Sequence, residues 1–170
     1  NEVFRQLVEV SSDVATIIDP EGTITYVSPS VSGVLGYETD ELIGEEGYEY
    51  QHPDDRQAVA DAIERLQEDP DRVETIQTRF RRADDSWCWI ESTLRNRLDD
   101  DVIDGILISS RDITERKRRE QKLKQFREAV EQTGHAVYIT DTDGSIEYVN
   151  PAFEEVTGYS EDEVIGDTPR

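Results

Sequence analysis

Residues 87–114, WCWIESTLRNRLDDDVIDGILISSRDIT, decide the fold of this chain. Two stretches rich in β-branched, aromatic and aliphatic residues, about Trp87 to Leu98 and Ile103 to Ser110, are separated by three aspartates at residues 99–101. Runs of this kind bounded by turn residues predict strands, and so short a connection joins strands that run antiparallel. The stretch therefore predicts the two final strands of an antiparallel sheet.

The first of these two strands has faces of different character. Side chains alternate along a strand, so Cys88 and Ile90 fall on one face and Trp87 and Trp89 on the other. We expect the aliphatic face to pack on the domain's own helices. We expect the tryptophan face to form an interface with an N-terminal helix at about residues 1–10 or with a partner chain. The alternative is that both rings lie on a solvated sheet surface.

A helix and a third strand precede this pair. The segment HPDDRQAVADAIERLQEDP, residues 52–70, places Pro53 at a helix start, acidic residues in the first turn and apolar residues on one face. This pattern predicts an amphipathic helix. The residues from about Val73 to Arg82 then predict a strand, which turns at residues 84–85 into the strand described above.

The chain contains two copies of one sequence pattern. FRQLVEVSSDVATIIDPEGTITYVSPSVSGVLGYETDELIG, residues 4–44, aligns without a gap with FREAVEQTGHAVYITDTDGSIEYVNPAFEEVTGYSEDEVIG, residues 126–166. The matched positions include Asp19 with Asp141, Gly22 with Gly144, Tyr26 with Tyr148 and Pro29 with Pro151. In the first copy, Val14–Ile18 and Ile24–Val27 predict a β-hairpin, and short helices follow. We interpret the pattern as a duplicated domain.

The second copy covers only the opening part of the first. An isolated two-stranded hairpin is marginal in water. We therefore expect the second copy to pack on the first copy or on another chain, or else to be poorly ordered.

A basic segment connects the two copies. Eight Lys and Arg residues lie between residues 111 and 127. Asp112 followed by Glu115 predicts a helix start, with Asp112 accepting backbone hydrogen bonds and Arg116 placed for an ion pair. Leu123 and Phe126 recur at helical spacing and form only a short apolar seam, which predicts a weak coiled coil and makes them candidate interface residues.

The charge of the chain limits what it can bind. Asp and Glu number 40 against 18 Lys and Arg, so the formal net charge is -22. This field repels phosphate backbones and anionic lipid headgroups, and we expect no nucleic-acid partner and no membrane contact. We interpret the basic helix as a rod between acidic surfaces. The acidity suggests the surface of a halophilic protein, with an ordinary acidic cytosolic protein as the alternative.

The sequence favours a cytoplasmic location. Cys88 is the single cysteine and has no partner for an intrachain disulfide, and no apolar run approaches the roughly 18 residues of a membrane span. A reducing compartment is therefore expected. The chain begins with Asn1 and contains no methionine. We interpret it as a piece of a longer protein.

Several motifs together resemble the PAS sensor-domain family. They are the turn DPEGTITYVSPS, the helix pair GYETDELIG, the helix start HPDDR, the strand WCWIE and an Asp-Ile-Thr ending before a basic helix. The resemblance implies an α+β fold, a five-stranded antiparallel sheet with helices on one face, followed by a helical linker and an incomplete second PAS copy. It divides the chain into a PAS domain with an N-terminal helix (1–114), a basic helical linker (115–125) and the start of a second PAS domain (126–170).

The resemblance implies signal relay, not turnover. The implied function is a cytoplasmic sensory module of a multidomain protein, a two-component sensor histidine kinase or a related transducer, that passes a change through Asp112, Ile113, Thr114 and Arg116 into the linker helix. A homodimer and a downstream output domain are the implied partners. The alternative is a DNA-associated transcriptional regulator that uses the basic helix. No phosphate loop, nucleophile elbow or catalytic triad pattern occurs, so we expect no enzyme in this fragment.

By the same resemblance, the inner sheet face and the helices can enclose a cavity for a small-molecule ligand. The candidate lining residues are Tyr37, Tyr48, Phe80, Ile90 and Ile108. The alternative is that these side chains pack against one another and leave no room.

The cofactor is unknown, and two are disfavoured. Haem-binding members carry a ligating histidine on the long helix, which has none here. Members with a covalent flavin carry a cysteine in an Asn-Cys-Arg-Phe type motif on an earlier helix, whereas Cys88 lies on a predicted strand. His52 with Asp54 and Asp55 could suggest a metal site, but a helix N-terminus accounts for these residues, and we expect no metal.

Overall fold

A computed structural model of the chain describes residues 12–169. The chain divides into two compact units, one ending at Lys117 and the other beginning at Arg118. The N-terminal helix expected at about residues 1–10 lies outside the described residues. Each unit is considered by itself below.

The first unit is built on five strands. They are β1 (Val14–Ile18), β2 (Ile24–Val27), β3 (Val73–Arg81), β4 (Trp87–Arg97) and β5 (Gly105–Asp112). The helices between β2 and β3 are α1 (Val31–Leu35), α2 (Thr39–Leu42) and α3 (Arg56–Glu68), with 3₁₀ turns at Gly47–Tyr50 and Pro53–Asp55. A longer helix, α4 (Thr114–Gln132), follows β5.

The five strands form one antiparallel sheet in the order β2-β1-β5-β4-β3. The last strand of the unit lies in the centre, where β5 pairs with β1 on one side and β4 on the other. The α+β fold with a five-stranded antiparallel sheet and helices on one face is thus confirmed. Because β5 joins the two hairpins, its residues hold the sheet together.

Strand β5 begins and ends two residues later than the sequence predicts. At its start, the Asp100 carboxylate accepts hydrogen bonds from the amides of Val102 and Ile103 at 2.9 and 3.1 Å, which keeps these residues in a turn. At its end, Asp112 still pairs with Ile90 of β4. Helix α4 therefore begins at Thr114, two residues after the predicted start at Asp112, and the Asp112 carboxylate accepts a hydrogen bond from the Thr114 amide as predicted.

The core lies between the inner face of the sheet and the helices. The buried side chains of the sheet include Ile18, Cys88, Ile90, Leu94 and Ile106, and those of the helices include Val31, Leu35, Ile63 and Leu66. The aliphatic face of β4 thus packs on the domain's own helices, as predicted. Full burial of such a side chain stabilises the fold by about 1.5–3 kcal/mol.

The segment from Gln51 to Asp55 covers part of the edge strand β3. Gln51 forms an isolated bridge with Phe80, and the amide of His52 donates to the carbonyl of Arg79 at 2.9 Å. The Asp55 carboxylate accepts three hydrogen bonds from Arg79, one from its amide and two from its guanidinium, at 2.8–2.9 Å. These bonds fix Gln51 beside the inner face of the sheet.

The Asp55 carboxylate makes stability depend on pH. Hydrogen bonds from Arg79 hold the pKa of Asp55 below its ordinary value. A lowered pKa in the folded state stabilises the fold above the unfolded value, about pH 4, and this contribution is lost as the pH falls through the folded pKa. We expect Asp55→Asn to lower the free energy of unfolding by about 2 kcal/mol at pH 7, a value typical of hydrogen bonds to charged groups.

Thermal unfolding between pH 7 and pH 2.5 tests this prediction. The difference between wild type and Asp55→Asn should shrink as the pH falls below about 4, because Asp55 of the unfolded wild-type chain then binds a proton that the folded chain does not bind until its lower pKa is reached. Asp54→Asn is the matched control, since the Asp54 side chain is largely exposed and 3.8 Å from the Arg79 guanidinium. A difference that stays constant down to pH 2.5 would contradict the pKa assignment.

The second unit repeats the opening of the first. After the later turns of α4 it contains β6 (Tyr138–Thr140), β7 (Ile146–Val149), α5 (Pro151–Thr157) and α6 (Glu161–Val164). The register of both hairpins is interrupted at the same place, between Ile17 and Ile18 and between Ile139 and Thr140. The structural repeat therefore follows the sequence repeat.

Candidate functional site

An apolar cavity of about 90 Å³ lies between the inner sheet face and the helices of the first unit. Its walls come from β1 to β5, from α1 to α3 and from the segment that carries Tyr48 and Gln51. Most of the lining side chains are aliphatic, and one polar pair within the wall, Ser92 and Ser110, is satisfied by a mutual hydrogen bond of 2.8 Å. The core packing thus leaves a void at the position the resemblance implied.

Four of the five candidate cavity residues line this void. They are Tyr48, Phe80, Ile90 and Ile108. Burial raises the pKa of Tyr48, whose ring also lies against Gly22, where an added Cβ would come within 2.8 Å of the ring. The positive φ of Gly22 and this close approach both require glycine in the hairpin turn.

The fifth candidate, Tyr37, lies beside the wall. Its ring meets Tyr50 edge-on at a centroid distance of 5.4 Å, and Tyr50 in turn stacks on Phe80 at 5.5 Å. The guanidinium of Arg81 lies over the Tyr50 ring. Tyr37 therefore supports a lining residue through Tyr50, because the stack places one ring between it and the cavity.

The junction between β5 and α4 contains the residues predicted to relay a signal. One oxygen of the Asp112 carboxylate accepts from the Thr114 amide at 2.8 Å, and the other accepts from the Arg82 guanidinium at 2.8 Å. Desolvation opposes ionisation of Asp112, but the bonds from Thr114 and the charge of Arg82 outweigh it, and the pKa of Asp112 lies below its ordinary value. Asp112 is therefore an anion that caps the start of α4 and links it to Arg82, the residue that follows β3.

The first turn of α4 is fastened to the neighbouring strand β4. The Ile113 amide donates to the carbonyl of Trp89 at 2.8 Å, and the Trp89 amide donates to the Thr114 hydroxyl at 3.0 Å. The Arg116 guanidinium donates to Glu91 at 3.0 Å. Ile113 and Thr114 are both buried. The sheet's hydrogen-bond pattern thus continues into the helix, because main-chain bonds of β4 reach the residues that begin α4.

Sequence reasoning missed Arg82. Its guanidinium donates to the carbonyl of Val34 at 3.3 Å, to the Cys88 sulfur at 3.3 Å and to Asp112. Val34 and Leu35 both line the cavity, and the Leu35 carbonyl accepts a hydrogen bond from the amide of Ala83, the residue after Arg82, at 2.9 Å. Arg82 therefore joins the helix at the cavity wall to the start of α4. Its position after β3 in a turn carried no signal of this contact in the sequence.

The single cysteine is part of the same junction. Cys88 is fully buried, and its sulfur accepts from Arg82 and from the Thr114 hydroxyl, which lies 3.5 Å away. Burial raises the pKa of the Cys88 thiol. The thiol is therefore held in its neutral form and acts as a small packing group between sheet and helix.

The two tryptophans predicted to form an interface are partly covered by side chains of their own unit. The Arg79 guanidinium and the Lys117 ammonium lie over the Trp89 ring, 5.2 and 4.9 Å from its centroid. Trp87 packs against the His52 ring at 4.7 Å. Cation–π contacts of this kind stabilise by about 0.5–1 kcal/mol at exposed sites. They leave the tryptophan face as a mixed aromatic and charged surface.

The other two candidate interface residues lie on α4 within the second unit. Leu123 and Phe126 are both exposed.

Sequence reasoning also missed Asn150, which is fully buried in the second unit. Its side-chain amide donates to the carbonyls of Val130 and His135, and its side-chain oxygen accepts from two backbone amides. Asn150 thereby ties the end of α4 to the second hairpin.

Two further features bear on the predicted chemistry. Within residues 12–169, no group of three or more His, Cys, Asp or Glu side chains is arranged to hold a metal ion. The His52 ring accepts a hydrogen bond from the Asp54 amide at 3.3 Å, and the Asp55 carboxylate is hydrogen-bonded by Arg79.

Within residues 12–169, no helix is both long enough and apolar enough to cross a membrane.

The fold and the junction correspond to a known family. The family model described as the PAS fold matches residues 8–118, and a second model of the PAS fold matches residues 124–169. The chain therefore belongs to the PAS family, and it is a sensor or signalling module of that family.

Individual relatives are similar over parts of the chain. Basic helix-loop-helix ARNT-like protein 2 of Gallus gallus is 32% identical over 72 residues, which are 42% of this chain and 12% of that protein. The chain thus spans only a small share of the length of the curated relatives it matches. Among solved structures, the PAS domain of an HTR-like protein from Haloarcula marismortui superposes with a TM-score of 0.57 at 27% identity, covering 66% of this chain and 96% of that chain.

A second solved structure shows similarity of fold alone. It is a domain of the sensory box sensor histidine kinase/response regulator from Geobacter sulfurreducens, with a TM-score of 0.55 at 21% identity. The match covers 65% of this chain and 92% of that chain.

Proposed function

We propose that this chain is the sensory and relay part of a multidomain signal-transduction protein, a sensor histidine kinase or a related transducer. One observation carries the proposal: the first turn of α4 is bonded to β4 through Ile113, Thr114 and Arg116, and it is capped by the Asp112 carboxylate. These bonds give a change in the sheet a direct route to the start of α4. Matches to the PAS fold in two successive segments support a place in a longer chain.

The relay begins at the cavity wall. A ligand that displaces α1 moves the carbonyl of Val34, which Arg82 contacts together with Asp112. Loss or strengthening of the Arg82–Asp112 pair then changes the capping of α4. To shift the populations of two states from 1:99 to 99:1, a ligand must bind one state about 5.5 kcal/mol more tightly than the other. A smaller population shift requires a smaller difference in binding free energy. A few hydrogen bonds to charged groups supply energies of this order.

We expect Asp112→Ala to uncouple input from output while the fold persists. The variant loses both the Thr114 cap and the Arg82 pair, so the amides of Thr114 and Lys117 should exchange hydrogen about five- to tenfold faster. In the full-length protein, the output should no longer respond to the signal. Hydrogen exchange read by mass spectrometry or NMR and an output assay measure the two effects.

Asp99→Ala is the matched control for this experiment, because Asp99 lies in the loop between β4 and β5, away from the junction. Protection against hydrogen exchange in the core strands around Leu94 should be the same in wild type, Asp112→Ala and Asp99→Ala. Unchanged exchange at Thr114 together with an unchanged output in Asp112→Ala would refute the relay.

The remaining parts of the proposal concern partners and chemistry. The module acts by binding and relay instead of turnover, as a homodimer in the cytoplasm, and its acidic surface is adapted to high salt. The alternative, a DNA-associated regulator, is less well supported, because Arg116 and Lys117 of the basic helix are engaged by Glu91 and Trp89. The net charge of -22 also opposes binding to phosphate backbones.

A further inference from the structure

Two buried polar atoms of the cavity wall lack a hydrogen-bond partner. The side-chain oxygen of Gln51 and the hydroxyl of Thr78 are inaccessible to solvent, and neither is hydrogen-bonded. Both residues line the cavity, and Thr78 is only 1% exposed. A buried polar group without a partner destabilises the fold, and valine would fill the space of Thr78 without this cost. The pair therefore points to a ligand that completes it.

The two atoms belong to one end of the cavity. Gln51 bridges to Phe80, and Thr78 lies two residues from Phe80 on the same face of β3. Gln51 and Thr78 are therefore diagonal neighbours on one sheet face. Such neighbours have Cα atoms about 7–8 Å apart, a distance that long side chains can span. A single small molecule at this end can therefore contact both groups.

The chemistry of the wall limits the ligand. Gln51 offers an acceptor, and the Thr78 hydroxyl can donate or accept. All the lining residues are uncharged, so an ionised ligand would be buried without a counter-charge. An apolar cavity of about 150 Å³ holds the six carbons of benzene, and by this scale 90 Å³ has room for about four non-hydrogen atoms.

We infer that the cavity binds one small uncharged molecule carrying both a hydrogen-bond donor and an acceptor, in the class of short amides and hydroxy compounds, with Gln51 and Thr78 as its polar contacts. The inference rests on the proposed sensory function and names the ligand class of the same cavity. The donor of the ligand binds the Gln51 oxygen, and the Thr78 hydroxyl donates to the acceptor of the ligand. The aliphatic wall holds the rest of the molecule.

Three probes of the same size and shape test the ligand class. Acetamide carries a donor and an acceptor, acetone carries the acceptor alone, and acetate carries a charge. Titration of the isotope-labelled full chain, followed by NMR at the amides of β3 and the methyl groups of the wall, gives the affinity of each probe. We expect acetamide to bind at least about tenfold more tightly than acetone or acetate, because a site with buried polar groups rejects an analogue that leaves one unpaired.

Variants of the wall identify the polar contacts. Gln51→Leu should weaken acetamide binding about tenfold and leave acetone binding nearly unchanged, because acetone has no donor for the Gln51 oxygen, whereas Thr78→Val should weaken the binding of both probes about tenfold, because both carry the acceptor. Thr16→Val is the matched control, since Thr16 also lines the cavity but is not one of the two unpartnered groups. Thr78→Val should also raise the unfolding midpoint of the unliganded chain, because it removes the unsatisfied hydroxyl.

Three results would overturn the inference. They are equal affinities for acetamide and acetone, no saturable shift with any probe, and a crystal structure in which water molecules alone occupy the polar end of the cavity in the presence of acetamide. The three probes titrated into the wild-type chain test the ligand class even if Gln51→Leu fails to fold.

The outcome is separable from that of the proposed function. Binding of acetamide without altered exchange at Thr114 would uphold the ligand class and refute the relay. An absence of binding with the expected behaviour of Asp112→Ala would refute the ligand class and leave the relay standing.

Discussion

Replacement of Gly105 by alanine is expected to lower the free energy of unfolding by about 3 kcal/mol, at the upper end of the usual cost of overpacking. A Cβ at this position would lie 2.5 Å from the carbonyl oxygen of Ile18 and 2.8 Å from the Ile17 side chain. The first of these atoms belongs to the backbone and cannot move aside without separating β5 from β1. Since β5 joins the two hairpins of the sheet, the cost falls on the whole unit.

Urea unfolding followed by tryptophan fluorescence measures this effect. The matched control is Gly33→Ala in α1, where an added Cβ has no neighbour within 4 Å. Alanine inside a helix is favoured over glycine by about 0.5–1 kcal/mol, so the control should be slightly more stable than wild type. An unfolding midpoint of Gly105→Ala at or above that of wild type would contradict the close pairing of β1 with β5.

Leu94→Ala is expected to lower the free energy of unfolding by about 3 kcal/mol, within the range of about 2–5 kcal/mol for buried leucines. Leu94 is 1% exposed and pairs with Ile108 of β5. It also lines the cavity, so the lost side chain enlarges an existing void instead of opening a separate one. The surrounding strands are held by their hydrogen bonds and cannot collapse into this space.

The enlarged cavity provides a second measurement for the same variant. An aromatic molecule such as benzene should raise the thermal midpoint of Leu94→Ala and leave that of wild type nearly unchanged, because only the variant has room for a ring. Val102→Ala is the control, since Val102 is 84% exposed in the loop between β4 and β5, and its truncation should change stability by no more than about 0.5 kcal/mol. Equal losses in both variants would show that Leu94 does not belong to the core.

Local patterns predicted most of the fold. The first hairpin has the predicted bounds, Val14–Ile18 and Ile24–Val27, because alternating apolar residues and an acidic glycine turn determine a hairpin over a few neighbouring residues. Helix α3 followed from its apolar face, but it begins at Arg56, after the 3₁₀ turn that starts with the predicted Pro53. The ends of β5 could not be predicted in this way, since they depend on the Asp100 side chain and on pairing with Ile90.

The contacts of the candidate site were predicted less completely. Tyr48, Phe80, Ile90 and Ile108 line the cavity as expected from the resemblance. Arg82 was missed, because it contacts residues 30 and 48 positions away along the chain. The ion pair expected for Arg116 involves Glu91 on the neighbouring strand, which only the pairing of β4 with β5 brings within reach.

The amino-acid order by itself determined the strands, the helices, the repeat and the acidic charge, because periodicity, turn residues and composition act between close neighbours or sum over the whole chain. The tertiary structure alone decided which residues meet. It placed the last strand in the centre of the sheet, joined Arg82 to Asp112, and left Gln51 and Thr78 unpaired around a void. Such contacts depend on the register of distant segments and on how completely side chains fill the interior, and neither quantity is written in any short stretch of sequence.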